Sequence, residues 1–464
     1  MNTSELSAEE KIWLSKASLQ TDVGGWMHTR ISGAALERGF QHGFLLGEEI
    51  AACLRSNKFW AYWMTARQFS FFADKAMQLY VDKQLIPDEL LQEMQGIASG
   101  ASKKTNTEIS FRDILTWNCF VDLIYSGWGT FKQELSKNAR DVRAHRYTGH
   151  RCSAFVAVGD ATHDGGIVMT HTTWDAFLQA QHFNVIMDIT PDTGHRMVMQ
   201  TAPGWIASMM DFTVTSAGLL VTETTIDGYI GFDPAKPPEF SESRLACQYA
   251  SDIDDWTERM AAGNNGGYAN SWLLGDINSG EIARYETGLI YQTPRPVEKL
   301  TNGVLYGQNI ATDMNIRNLE TDDPDAWSDI SQSGARRVRW KKLLNEHYGK
   351  INVENTRRMI GDHHDEFLQI NQPSSRTLCG HMDNDNGRAS GGHGHPPFYP
   401  WGSVDAKVAT TQSARAMGFD ARWGRACGEA FIAEDYLTQH PQYDWLEGYL
   451  IDRPAQQWQS FVDE

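Results

Sequence analysis

Cysteine is scarce and scattered in this sequence, with six residues at 53, 119, 152, 247, 379 and 427. No two form a CxxC pair, which argues against the common zinc-finger spacings and a dense disulfide framework. Basic charge is short as well: 41 Lys and Arg against 59 Asp and Glu leave a formal net charge of −18. Nucleic acid or an anionic membrane surface would need a local patch to bind. The one visible patch, ARRVRWKKLL over 335–344, has the spacing of a helix's solvent face, so no nucleic-acid partner is expected. No apolar run approaches the ~20 residues of a transmembrane segment. The opening MNTSELSAEEKIWLSK lacks the basic and apolar regions of a secretory signal. The expectation is a cytoplasmic protein, or a secreted or periplasmic one if a leader has been removed.

What is present is an ordinary globular composition, 41% hydrophobic and 22% charged over 464 residues. Residues 7 to about 130 read as mainly helical. A capping-box pattern joins Ser7 to Glu10, and PDELLQEMQGIASGASK starts its helical spacing at Pro87. Residues 134–151 are charged and unpatterned, as in an exposed linker. From 152 onward β-rich segments follow one another, helices return at 333–346 and 353–360, and a Gly/Pro/Asn-rich loop covers 372–403. DAKVATTQSARAMG at 405–418 reads as a strand followed by a helix. These signals divide the chain into a helical N-terminal segment (1–133), a linker (134–151) and a body (152–464), of α+β class.

The most informative stretch is GHRCSAFVAVGDATHDGGIVMTHTTWD, residues 149–175. Two β-branched runs flank a Gly/Asp turn, the pattern of a hairpin. Cys152 then opens one strand while His171, Trp174 and Asp175 close its neighbour, and antiparallel register brings those ends together. A cysteine directly after a linker, at the first residue of a strand, suits a nucleophile exposed by cutting the bond before it. The freed α-amine titrates near ~7.7–8.0, close to the thiol's ~8.5, so it can serve as the thiol's base at neutral pH.

Four segments in consistent order, CSAFVAVG…GGIVMTHTTWDAF, APGWIASMMDFTVTSAGLLVTETTI, NNGGYANSW and PFYPWGSVDAKV, resemble the phospholipase B-like family of N-terminal nucleophile hydrolases. GDHHDEFLQINQPSSRTLCGH is similar to a segment of the isopenicillin acyltransferase-type amidohydrolases. The resemblance implies a four-layer αββα sandwich with Cys152 as nucleophile and Arg151–Cys152 as the self-processed bond. His171 and Trp174 match positions lining the nucleophile, and Thr224 or Thr225 a polar group beside it. Asn270 matches the asparagine of an oxyanion hole, and Asp175 either orients the amine or caps the hairpin.

The implied activity is hydrolysis of an acyl amide or ester, of the N-acyl amino acid, peptide or phospholipid type, through an acyl-enzyme and without a cofactor. Two alternatives stand beside it: an acyltransferase, and a binding protein that keeps the fold without catalysis. The partner is a small-molecule acyl substrate, with homo-oligomerisation left open. A rival site lies in the loop carrying His381, His393 and His395 near Asp383 and Asp385. It lacks the remaining ligands of a calcium loop, and no metal is expected there.

Overall fold

The computed structural model describes residues 6–135, 151–385 and 396–463. The expected linker therefore lies largely outside the described residues, as do His393 and His395. The strands, in chain order, are β1 (Ser18–Val23), β2 (Trp26–Gly33), β3 (Arg151–Gly159), β4 (Gly165–Ala176), β5 (Val185–Pro191), β6 (Met197–Thr201), β7 (Phe212–Thr215), β8 (Leu219–Thr225) and β9 (Asn270–Asp276). They continue with β10 (Glu281–Thr287), β11 (Lys299–Leu300), β12 (Gly303–Gly307), β13 (His364–Asp365), β14 (Ile370–Asn371), β15 (Trp401–Ser403), β16 (Asp405–Thr410), β17 (Phe419–Trp423) and β18 (Gln459–Phe461). A larger sheet runs in the order β1-β2-β5-β6-β7-β8-β9-β10-β11, and a smaller one in the order β12-β3-β4-β16-β17-β18 with β15 also on β4. All neighbours in both sheets are antiparallel except β2 and β5.

The sheets face each other, β3 and β4 against β8. Helices Ala35–Leu45, Glu239–Tyr249 and Ile253–Gly263 cover the larger sheet, while Gln332–Glu346, Val353–Ile360 and Thr411–Arg415 cover the smaller. The result is the four-layer αββα arrangement. Strand alternation on β3 is what builds it. Ala154, Val156 and Val158 join the core between the sheets, whereas Phe155 and Ala157 meet Trp340, Leu343 and Ile360 of the outer helices. Cys152 has the inward parity.

The N-terminal region is helical over most of its length, and Ser7 and Glu10 form the expected reciprocal cap. Residues 18–33 differ. They form the β1–β2 hairpin, turning at Gly24 and Gly25 with φ of +59° and +82°, a conformation that glycine adopts without the cost a side chain brings. Thr, Val and Ile flank that turn, and their fit to a pleated surface outweighs the helical pattern around them. β2 then pairs in parallel with β5, so the region before residue 133 shares the larger sheet.

A buried ion cluster also ties this region to the rest of the molecule. Glu93 of helix Asp88–Thr105 accepts from Arg38 Nε at 2.8 Å and from Arg244 Nη1 of helix Glu239–Tyr249 at 3.0 Å. The two arginines hold the Glu93 carboxyl below its ordinary pKa against the opposing effect of burial, which is the largest influence on it. The helix holding the basic cluster is confirmed at Gln332–Glu346, but its solvent-face assignment is corrected. Arg336 is 0% exposed, because it points inward from the first turns of that helix toward the start of β3.

Candidate active site

Cys152 is the second residue of β3, one place inside the expected strand start, and stands opposite Thr173 of β4, with His171 two residues back along β4 opposite Ala154. The hairpin expected from the 149–175 stretch is thus present. The ladder between β12 and β3 ends at Gly307–Ala154. Continuing that register by two residues puts Asn309 opposite Cys152, and the asparagine side chain takes over where the strand stops. Cys152 N–H donates to Asn309 Oδ1 at 3.0 Å. Asn309 Nδ2 donates to Thr225 O at 2.7 Å, and Arg336 Nη2 donates to Asn309 Oδ1 at 2.8 Å. Asn309 has φ of +74°, a left-handed conformation that asparagine tolerates better than most residues. Arg336 Nη1 also donates to Cys152 O, at 2.5 Å. One buried guanidinium therefore grips both the carbonyl of the cysteine and the acceptor of its N–H.

The thiol is 2% exposed. Burial pushes it well above the ordinary thiol range, and the neighbouring Glu223 adds to the shift. Cys152 Sγ lies 3.9 Å from Glu223 Oε1. The thiol, a ring nitrogen of His171 and a Glu223 oxygen all fall within 4.8 Å of one another. Neither ring nitrogen of His171 has a hydrogen-bond partner among the described residues. Burial holds this imidazole neutral, and the nearby Lys407 charge adds to that effect. Lys407 itself is satisfied: its Nζ donates to Asp405 Oδ1 at 2.7 Å and to Thr173 Oγ1 at 3.0 Å.

Glu223 belongs to a buried acidic group. Tyr268 O–H lies 3.1 Å from Asp211 Oδ2 and 3.3 Å from Glu223 Oε1, placed to donate to either. Burial pushes Glu223 up to about 8. It also raises Asp211 well above the carboxylate range, with the Glu223 charge adding to it. Two carboxyls this close ionise one at a time, so the pair carries a proton at neutral pH.

The remaining expected residues distribute as follows. The Asn270 carboxamide, with its nitrogen toward Glu223, donates to Oε2 at 2.6 Å and to Ala269 O at 3.0 Å. It therefore meets the thiol's surroundings through Glu223. Thr224 lies against β12, where a Cβ built on Gly307 would fall 2.3 Å from its Oγ1. Thr225 Oγ1 donates to the Tyr268 hydroxyl at 3.2 Å.

Trp174 has the opposite parity to Thr173 and sits on the outer face of the small sheet. Its ring lies under the Arg336 guanidinium at 4.2 Å, and its Nε1 donates to Leu378 O at 3.3 Å. Its indole backs the arginine and faces away from the thiol, whereas its backbone hydrogen-bonds the Cys152 thiol and partly offsets the rise in that thiol's pKa. Asp175 pairs with Gly402, and its Oδ1 accepts from Ala176 N–H at 2.6 Å.

In the rival loop, Asp383 pairs with Arg425, and Asp385 Oδ2 accepts from Ser375 Oγ at 2.5 Å. Both carboxylates are held by protein groups.

Sequence reasoning passed over Glu223, Asp211, Tyr268, Asn309 and Arg336. Glu223 stood inside the quoted TETTI, Tyr268 inside NNGGYANSW and Asp211 inside the APGWIASMMDF segment, each masked by a neighbour of more familiar type. Asn309 had no local signal, because its role comes from strand register across 157 residues.

The chain matches the family model "Phospholipase B" over residues 73–305. Among curated proteins it is similar to a putative phospholipase B-like 1 of Caenorhabditis elegans, 25% identical over 230 residues covering 48% of this chain and 39% of that protein. A phospholipase B of Crotalus adamanteus is also 25% identical, covering 46% of this chain and 42% of that protein. The aligned stretch thus spans about two-fifths of these relatives' own length. Among solved structures, a conjugated bile acid hydrolase variant from Clostridium perfringens aligns with a TM-score of 0.31 and 6% identity, covering 67% of this chain and 97% of that one.

Proposed function

The chain belongs to the phospholipase B family, and from that premise we propose that it is a self-processed acyl hydrolase whose nucleophile is the thiol of Cys152. The observation that carries this reading is the bonding of the Cys152 N–H. That amide donates to Asn309 Oδ1, which a buried arginine also engages. Scission of the Arg151–Cys152 bond would turn the amide into an α-amine already held beside its own thiol.

In the unbroken chain the amine is not yet available, so another group must take the thiol proton. Glu223, 3.9 Å from Sγ and raised to about 8, has the position for that task and performs it from the minor fraction that is ionised at neutral pH. The thiolate attacks the Arg151 carbonyl carbon, and the peptide C–N bond breaks as the nitrogen takes up a proton. The product is a thioester with a free α-amine on Cys152. Water then hydrolyses the thioester, leaving a new carboxylate at residue 151 and regenerating the thiol.

In the processed enzyme the same thiol attacks an acyl ester or amide with the α-amine as base. The amine passes the proton to the leaving oxygen or nitrogen, and water resolves the acyl-enzyme. Arg336, two bonds from the amine through Asn309, disfavours the ammonium form electrostatically and so keeps the base free at neutral pH. His171, neutral and with both ring nitrogens open, is placed to meet a group of the substrate or its water. Asn270 can supply the oxyanion donor if its amide turns from Glu223 toward the reacting carbonyl. The Crotalus adamanteus relative bears the name phospholipase B, so a phospholipid ester is the first substrate to assay, with an N-acyl amino acid as the amide.

The test is turnover of both compounds by processed wild-type protein and by Cys152→Ser. Hydrolysis of either by wild type, reduced at least ~10²-fold in the serine variant, supports the reading. No acyl product from either substrate with fully processed protein counts against it.

A further inference from the structure

Away from the thiol of Cys152, a second cluster of metal-ligating side chains closes on a single point. His363 follows helix Val353–Ile360, Cys379 and His381 lie in the following loop, and Cys427 stands in the turn after β17. Their four donor atoms all fall within 4.8 Å of one another. His381 Nε2 is 3.1 Å from His363 Nε2, 3.3 Å from Cys379 Sγ and 3.6 Å from Cys427 Sγ.

Hydrogen bonding accounts poorly for this crowding. One ring nitrogen offers a single proton or a single lone pair, yet three donor atoms converge on it. A metal ion accounts for all of it. With Zn–N of ~2.0–2.1 Å and Zn–S of ~2.3 Å, a tetrahedron has N–N edges of about 3.3 Å and N–S edges of about 3.6 Å. The three distances in the cluster match those edges to within a few tenths of an ångström.

We propose that His363, Cys379, His381 and Cys427 form a Cys₂His₂ site for a structural zinc ion. Two thiolates and two imidazoles are the ligand set and geometry that favour zinc over the hard divalent ions. Four protein ligands leave no open position, so the ion's role is to hold chain segments together. His363 and Cys427 are only partly buried, which gives the ion a way in.

The segments it joins back the catalytic region. Gly380, between two ligands, lies so close to Trp174 that an added Cβ would fall 2.4 Å from the indole. Gly380 O accepts from Ser403 N–H at 2.8 Å, and Trp174 in turn supports Arg336. The ion would clamp the 363–381 segment to the 427 turn, behind the arginine that holds Cys152. The absence of CxxC spacing hid the site in the sequence, since its ligands are a Cys-Gly-His triplet and two distant residues.

The test is the metal content of the full chain purified under reducing conditions without chelator. The expected result is about one zinc ion per chain, retained in Cys152→Ala and lost in the double variant Cys379→Ser/Cys427→Ser. Cobalt exchange supplies a readout that does not depend on a variant folding. Tetrahedral visible bands with thiolate-to-cobalt charge transfer are expected, and Cys427→His should keep the metal while weakening the charge-transfer band. Metal-free wild-type protein, with two free thiols or a Cys379–Cys427 disulfide by mass spectrometry, would overturn the assignment. Zinc retained by the double variant, or lost with Cys152→Ala, would overturn it too.

Discussion

Replacing Arg336 by glutamine tests how the base is kept free. In the structure Arg336 Nη2 and the Cys152 nitrogen share one acceptor, at 2.8 Å and 3.0 Å, so charge and amine are separated by roughly 5 Å. At an effective dielectric near 20 this repulsion is about 3 kcal/mol, or about two units on the amine's pKa at 1.36 kcal/mol per unit. The acid limb of kcat/KM reports the free enzyme's base. It is expected to move up by about two pH units in processed Arg336→Gln, whereas Arg336→Lys, which keeps the charge, should stay near wild type. Stability will fall as well, because Cys152 O loses its charged partner. Such a loss costs about 1–3 kcal/mol per buried group left unsatisfied, so the profile is to be read on protein shown to be folded and cut. An unmoved acid limb in processed Arg336→Gln would refute the electrostatic role.

Three further outcomes are expected. Glu223 is held near 8 by burial, so the folded state keeps its proton where the unfolded chain has lost it, and stability falls as pH rises between about 4.5 and 8. Buried His42 and His182, each lowered to about 4, act in the opposite direction and only below about pH 6.5. Between pH 6.5 and 8 the Glu223 contribution should cost about 1–2 kcal/mol in chemical denaturation, and Glu223→Gln should remove that part of the slope. Asn270→Ala should lower kcat by ~10²–10³ with KM little changed if the amide serves the oxyanion; wild-type kcat per processed molecule would take Asn270 out of the site. Gly380→Ala should destabilise by about 1–3 kcal/mol through overpacking against Trp174, and an unchanged melting temperature would contradict the close approach.

Much of the fold was legible because it rests on local signals. The β3–β4 hairpin is written in two β-branched runs around a Gly/Asp turn, the helix at 8–14 in its Ser7/Glu10 cap, and the helix at 88–105 in Pro87 and the acidic first turn that follows it. The β1–β2 hairpin was missed because its short strands sit inside a helical context, and pairing with distant β5 is what fixes them. The site divides in the same way. Cys152 and His171 share a hairpin, so register alone brings them together. Trp174 and Cys152 sit on opposite faces of that hairpin, a difference of one residue in parity that the motif does not display. Arg336 looked like part of a solvated basic stripe, and only the packing of its helix on the small sheet turns it inward to Cys152 and Asn309.

The claim on which the mechanism depends is that Cys152 becomes an amino terminus, and intact-mass spectrometry of the purified chain measures this directly. The expected result is two fragments, the larger beginning at Cys152 with an unblocked α-amine, and a single full-length mass for Cys152→Ala. A hydrolytically active wild-type preparation that remains one uncut chain would contradict it.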